Sequence, residues 1–495
     1  MRGLCTVIFA MIVVTLATPV ATCHASPLAD FERHFLDETL RIDYFHTGNS
    51  TEEIISLDQM YRQGSWAGSR TRRVDTLDLG RYYAKVYDAA SGELLYSRGF
   101  DSYYGEWKTT SLAAEGVRRT YHESALVPFP RAPIEFTLEV RQDDLTLAEI
   151  YRVEIDPQSF LIREDSLNEN VIVVKAAYGG DSHSRVDVAI LGEGYTVDEE
   201  EKFRADLARF TKVMLGYEPY SSLAHRFNVW GVLLPSQESG CDEPSRGVHR
   251  NTALGSTFDS LGSERYLLTE ANRSFRDVAA HVPYDALYIM VNHERYGGGG
   301  IYNLFCTFTS DNQWSEYVFL HEFGHHFAGL ADEYYISSTA YNDFYPRGVE
   351  PHERNITRLL DPDHVKWQHL LTPGIAVPTP WAKVDYDTRD REYQKKRGQV
   401  NENIASLMRA GAPGKEVESA KAEGELLSKS HQNKVDDWFA QSSFSGQVGV
   451  FEGAGYSSTG MFRSQLDCIM FSKGLKPFCA ACRQGIIEVI ERYGE

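Results

Sequence analysis

The sequence predicts a two-part α+β chain: an N-terminal β-sandwich, then an α/β domain with a twisted mixed sheet and one helix of special composition. Three observations predict it. Apolar and polar residues alternate through much of residues 26–165, the period of half-buried strands. Beyond residue 166, apolar runs alternate with helical segments, which implies helices layered on a largely parallel sheet. Near residue 320 an apolar stretch runs into His321-Glu322-Phe323-Gly324-His325, which places two imidazoles one helical turn apart on one face.

The chain has 495 residues, enough for two or three domains, and a formal charge of −20. That charge excludes nucleic acid as a partner, because such an interface needs a basic surface, and it disfavours anionic membrane surfaces. Met1-Arg2 followed by the apolar run from Leu4 to Val20 reads as a signal peptide over residues 1–25. The run is too short and too early for a membrane span, and no later segment approaches ~20 apolar residues, so no integral span is expected. Small residues at Cys23 and Ala25 place cleavage after Ala25. A lipid anchor at Cys23 is the alternative, disfavoured by Thr22 where a smaller residue is usual. The mature chain is therefore expected to be exported to the periplasm, the medium or the cell surface.

In the N-terminal part, Leu40–Tyr44, Tyr82–Tyr87, Ile134–Val140 and Glu149–Ile155 alternate as strands, with a turn at Asp88–Gly92. No cluster of metal-ligating side chains stands out there. After the change of pattern near 166–185, Val186–Leu191 reads as a buried strand. Thr196 caps a helix that runs to about Leu215, with acids in its first turn. Phe227–Leu234 and Tyr284–Val291 are further strands. Gly192-Glu193-Gly194 is a lone glycine pair and gives little support to nucleotide binding. Gly297-Gly298-Gly299-Gly300 permits close backbone approach, and Ile301–Phe308 reads as an edge strand. Gly300, Ile301, Tyr302 and Asn303 are therefore candidates for pairing with an extended peptide, against a plain glycine hinge. Residues 382–441 are rich in charge, with a break at Arg409–Gly414, and read as a helical, solvent-exposed insertion or lid.

Chemistry concentrates at the helix near 320. His321 and His325 suit Zn²⁺, and Glu322, beside the first ligand, can reach an activated water without ligating the ion. A bare HExxH occurs by chance on exposed helices. Here Tyr317–Leu320 is apolar, so the helix is buried, where an unpaired carboxylate beside two imidazoles would be costly. Gly324 leaves room for a close neighbour, and Gly329 is placed to end the helix. A catalytic zinc takes a third protein ligand, and Asp332, three residues beyond Gly329, is the first choice. Glu333 is the alternative. The spacing follows the metzincin pattern HExxHxxGxxH with one extra residue and a carboxylate for the last histidine. His326 lies about 100° around the helix and should miss the ion.

Five cysteines follow the leader: Cys241, Cys306, Cys468, Cys479 and Cys482. An odd count leaves at least one thiol unpaired. Cys479-Ala480-Ala481-Cys482 has the spacing of a metal or redox pair. No second CxxC completes a zinc site, so a disulfide from Cys468 to one of the pair is expected.

His321–Tyr335, with Gly297–Asn303 before it and Glu350-Pro351 and Asn355–Thr357 after it, resembles the immunoglobulin-A peptidase family of bacterial metallopeptidases. The likeness extends to Phe451–Tyr456, Asp467–Met470 and Phe478–Cys482, and the region from about 30 to 160 resembles that family's N-terminal domain. The resemblance implies a metzincin-like zincin fold over 166–495, a zinc endopeptidase activity on polypeptide substrates, and Met470 as the methionine turn beneath the metal. The sequence departs from metzincins at Ser472, where many have a tyrosine, so the residue that stabilises the oxyanion is open among Tyr334, Tyr335 and Tyr456. The family's name does not make immunoglobulin the substrate. Two competing classes are a surface adhesin or other binding protein with a vestigial zincin domain, and a zinc amidohydrolase that does not cut peptides. The sequence does not set the oligomeric state.

Overall fold

The computed structural model describes residues 27–165, 167–336, 345 and 348–494. The expected signal peptide and the anchor position Cys23 lie outside the described residues.

Helix α1 (Pro27–His34) leads into β1 (Phe35–Gly48) and β2 (Glu53–Gln63), followed by β3 (Tyr82–Asp88) and β4 (Leu94–Phe100). Two short helices, α2 (Tyr103–Trp107) and α3 (Ser111–Ala114), precede β5 (Arg119–Pro130), β6 (Ile134–Arg141), β7 (Leu147–Ile155) and β8 (Ile162–Glu164). These strands form two four-stranded sheets, ordered β5-β1-β2-β8 and β4-β3-β6-β7. Alternation predicts the packing. Leu40, Ile42 and Tyr44 of β1 point inward and meet Val86, Leu95, Phe136 and Leu138 of the other sheet in one core. Each such buried apolar side chain contributes roughly 1.5–3 kcal/mol.

The second part is built on a six-stranded sheet ordered β15-β16-β14-β10-β11-β9. It starts with β9 (Ile172–Ala177) and β10 (Val186–Glu193), then α4 (Glu200–Leu215) and β11 (Phe227–Leu233). A short ribbon of β12 (Ser256–Thr257) and β13 (Leu268–Thr269) follows, then α5 (Asn272–Ala279) and β14 (Ala286–Val291). The sheet ends with β15 (Gly298–Ile301) and β16 (Phe305–Thr309), which lead to α6 (Ser315–Ala328). The four inner strands are parallel and the two edges antiparallel. Successive residues serve opposite layers. Val186, Val188 and Ile190 pack with α4 and α6, whereas Ala189 and Leu191 pack with α5 and with Tyr103 and Trp107 of the first part. Helix α6 buries Val318, Phe319, Leu320, Phe323 and Phe327. The rings of Phe319 and Phe323 stack on Tyr288 of β14 at 4.5 and 5.0 Å.

After α6 the chain forms β17 (Ile356–Thr357), then α7 (Lys383–Arg409) and α8 (Gly414–Ala440), each of 27 residues. This hairpin occupies the segment expected to be an insertion. It is more than a solvated appendage: Tyr386, Val435 and Phe439 join the main core. Near its tip Arg409 donates to the Ser245 carbonyl at 2.9 Å and Lys421 to Glu294 at 2.6 Å. The chain closes with β18 (Phe451–Ala454), β19 (Ser457–Arg463) and α9 (Ala480–Arg492).

The edge strand differs from its expected bounds. It spans Gly298–Ile301, antiparallel to β16, and the chain reverses through Tyr302–Leu304, with Asn303 at φ 54°. Asparagine tolerates that left-handed conformation better than most residues. The glycines set the location. A Cβ at Gly300 would lie 2.5 Å from the Glu322 carbonyl oxygen and 3.0 Å from the His325 Cβ, so only bare backbone fits against α6. Tyr302 and Asn303, expected with Gly300 and Ile301 as part of the substrate edge strand, lie in the turn just beyond it and dock the first part of the chain. The Asp101 amide donates to the Tyr302 carbonyl at 2.8 Å, Asn303 donates to the Gly99 carbonyl at 2.7 Å, and Arg98 donates to Asn303 at 2.9 Å. Gly300→Ala is expected to cost about 1–3 kcal/mol by overpacking, read as a lower urea midpoint with an unchanged slope.

Candidate metal centre

Burial of α6 fixes the helix, and hydrogen bonds then fix its imidazoles. His321 Nδ1 donates to the Ile469 carbonyl at 2.9 Å, and His325 Nδ1 donates to the Leu330 carbonyl at 2.6 Å. Each bond leaves the Nε2 lone pair free. The second bond depends on how the helix ends. Gly329 adopts φ 56°, its amide donates to the His325 carbonyl, and the Leu330 amide donates to the Gly324 carbonyl. That turn brings the Leu330 carbonyl back under His325.

The free nitrogens converge on one carboxylate. His321 Nε2 and His325 Nε2 lie 3.2 Å apart, and Asp332 Oδ1 is 3.1 Å from the first and 3.2 Å from the second. Tetrahedral zinc with bonds of about 2.0–2.1 Å separates its N and O ligands by roughly 3.3–3.5 Å, so the triangle fits such an ion to within a few tenths of an ångström. Against the cost of burial, the two imidazoles hold the Asp332 carboxyl well below its ordinary range. In turn, and again against burial, Asp332 pushes metal-free His325 up to about 9. The Tyr456 hydroxyl donates to the other oxygen of Asp332.

Glu333 goes elsewhere. Adjacent residues of an extended segment point to opposite sides, and Glu333 is buried beside Cys468, Cys479 and Cys482. Its amide donates to the Met470 carbonyl at 2.8 Å. Met470 is fully buried, and its sulfur would lie 3.0 Å from a Cβ at Gly324. The small residue at 324 thus makes room for this methionine. His326 faces away from the triangle, accepting from the Leu287 amide at 2.9 Å and donating to the Ile301 carbonyl at 3.0 Å. Burial holds it neutral, with its pKa lowered to about 3.

Glu322 lies beside the triangle on the floor of a cleft walled by Gly298–Ile301, Arg265, Tyr334 and Tyr456. Desolvation pushes its carboxyl upward. Gly300 is the freer part of the edge. Gly298 already bonds the Arg265–Leu267 segment, and strand alternation turns the Gly300 amide and carbonyl to the same side. Tyr334 stacks parallel to His321 at 6.3 Å, and its hydroxyl accepts from Arg265 at 2.8 Å. Tyr335 turns away and donates to Asp387 of α7 at 2.6 Å. Ser472 donates to Asp467. Arg265 was not anticipated. It comes from the loop between β12 and β13, which has no periodicity or motif to mark it. Asp101 and Glu106 of the first part also line the cleft.

The expected disulfide is not formed. The sulfurs of Cys468 and Cys482 are 3.9 Å apart, against ~2.05 Å for a bond, and all five described cysteines are free.

Comparison with known proteins finds two family models that match. The one described as IgA Peptidase M64 covers residues 174–490, and the one described as Peptidase M64 N-terminus covers residues 30–152. A search of curated proteins returned no match.

Two outcomes are expected of these contacts. Tyr456→Phe frees one oxygen of Asp332 and should weaken binding of a metal ion at this triangle about 10–100-fold in chelator competition. For His326 the folded pKa of about 3 lies below the unfolded value near 6.5, so only the unfolded chain takes the proton in that window. Stability should therefore fall with pH below about 6.5, by up to about 1.4 kcal/mol per unit from this residue. In His326→Gln the slope of urea-derived stability between about pH 6 and pH 4 should be smaller by roughly one proton.

Proposed function

The chain belongs to the IgA peptidase M64 family and is a peptidase, and from that premise we propose that it is an exported, zinc-dependent endopeptidase acting on polypeptide chains. The observation that carries this reading is the triangle of His321 Nε2, His325 Nε2 and Asp332 Oδ1 with sides of 3.1–3.2 Å beside Glu322. When bound, Zn²⁺ supplies Lewis acidity that acidifies a water and polarises a carbonyl. His321, His325 and Asp332 all line the cleft, so an ion they held would have room there for a water or substrate as its fourth ligand, as a catalytic centre requires.

The chain's own groups do the rest. The Glu322 carboxylate accepts a proton from the attacking water and delivers it to the leaving amine, which departs neutral. Its raised pKa suits a base that must also act as an acid near neutral pH. Gly300 offers outward backbone groups to an extended substrate, which holds the scissile bond over Glu322. Arg265 and the Tyr334 hydroxyl are the donors on the cleft wall for charge developing on the carbonyl oxygen. Tyr456 acts as a positioning residue through Asp332. The apolar run at the start of the chain supports export.

Glu322→Gln should retain the metal and lose about 10²–10⁴ of its rate on a denatured protein substrate. Equal rates for the two proteins, at equal zinc content, would remove Glu322 from the reaction.

A further inference from the structure

We propose that Glu333, Cys468, Cys479 and Cys482 form a second metal site, closed and structural, for a thiophilic divalent cation such as Zn²⁺. One ligand atom from each lies within 4.8 Å of every other, and all four residues are buried. The Cys468 and Cys482 sulfurs are 3.9 Å apart. Tetrahedral bonds of ~2.3 Å place two thiolates about 3.8 Å apart, so this separation suits a shared ion and is far too long for a disulfide. Glu333 Oε1 is 3.2 Å from the sulfurs of both Cys479 and Cys482. Three thiolates and one carboxylate complete a tetrahedron without an open position, which separates this site from the catalytic one.

The surroundings are arranged for thiolates. Backbone amides point at sulfur: Cys479 N–H donates to Cys468 Sγ at 3.1 Å, Met470 N–H to the same sulfur at 3.4 Å, and Cys482 N–H to Cys479 Sγ at 3.4 Å. Cys479 is the N-cap of the 13-residue helix α9 and Cys482 lies in its first turn, where the helix dipole favours negative charge. Arg463, fully buried, acts electrostatically on Glu333 and offsets part of the ligand charge. Glu333 Oε1 also accepts from Asn355, while Oε2 has no hydrogen-bond partner among the described residues. A buried carboxylate oxygen left so is costly without a cation. A second cluster, Asp43, Asp58 and His122, carries no such inference, because Arg41 and Arg273 already bind its carboxylates.

The position gives the site a purpose. Glu333 directly follows Asp332, and Cys468 directly precedes Ile469, whose carbonyl orients His321. An ion shared by Glu333 and Cys468 ties together the two segments that supply the third catalytic ligand and the brace of the first.

The test is metal analysis of the full mature chain, with Co²⁺ exchanged for Zn²⁺ as a spectroscopic probe. About two metal ions per chain are expected, and about one in Cys479→Ser/Cys482→Ser. The cobalt protein should show thiolate-to-cobalt charge-transfer absorption, which the sulfur-free His321/His325/Asp332 centre cannot produce. His321→Ala/His325→Ala should keep that band and one ion, so loss of the catalytic centre and absence of the cysteine site are told apart. Unreduced, denatured protein should have the mass of free thiols. A single ion with no charge-transfer band in the wild-type protein would overturn the proposal, as would a disulfide joining Cys468 to Cys479 or Cys482. The wild-type spectrum decides the matter even if the cysteine variant does not fold.

Discussion

Everything at the candidate centre depends on two backbone carbonyls that aim two imidazoles. Ile469 and Leu330 accept from the Nδ1 atoms of His321 and His325, and both Nε2 lone pairs then face one point. Neither carbonyl belongs to the helix that carries the histidines. One comes from the turn that ends α6, and the other comes from 148 residues further along the chain. The C-terminal segment is therefore part of the site, although its nearby side chains, Met470 and Cys468, are fully buried.

Stability and orientation come from different interactions. Phe319, Phe323 and Phe327 are buried against the sheet and the C-terminal helix, each contributing roughly 1.5–3 kcal/mol, so apolar burial holds α6 in place. A single imidazole–carbonyl hydrogen bond contributes only about 1 kcal/mol net, yet it selects the tautomer and ring direction on which metal binding depends. Removing an aromatic ring would loosen the fold first. Removing a carbonyl brace would misdirect a ligand while leaving the fold nearly intact. The glycines of β15 belong to the same economy of space, because they bring a strand edge to within backbone contact of Glu322 and His325.

What the sequence disclosed follows from the range of each interaction. Helical period places His321, Glu322 and His325, and a glycine with positive φ ends the helix, so these positions were readable from spacing alone. The choice between Asp332 and Glu333 was not, because neighbouring residues of an extended segment diverge, and only the pairing of that segment with Met470 and Gly455 decides which carboxylate faces the histidines. The alternating strands before residue 165 were legible because one face of each is buried. The edge strand was displaced by a few residues because a run of glycines has no side-chain pattern to read. Arg265 and Tyr456 reach the cleft from irregular segments, where nothing local marks them. The expected disulfide was misplaced for a related reason: the cysteines alone suggest a bond between sulfurs, whereas Glu333, whose Oε1 lies 3.2 Å from the sulfurs of Cys479 and Cys482, comes 146 residues before Cys479.

On the proposed reading, His321, His325 and Asp332 hold one catalytic ion, with Glu333 outside its reach. Anomalous diffraction at the zinc edge from crystals of the full chain tests this most directly. A peak is expected, bonded to His321 Nε2, His325 Nε2 and Asp332 Oδ1 at about 2.0–2.2 Å, with Glu322 close by but not bonded. Absence of a peak between the two histidines in zinc-loaded crystals would contradict it. So would a peak there with Asp332 turned away and another residue as the third ligand.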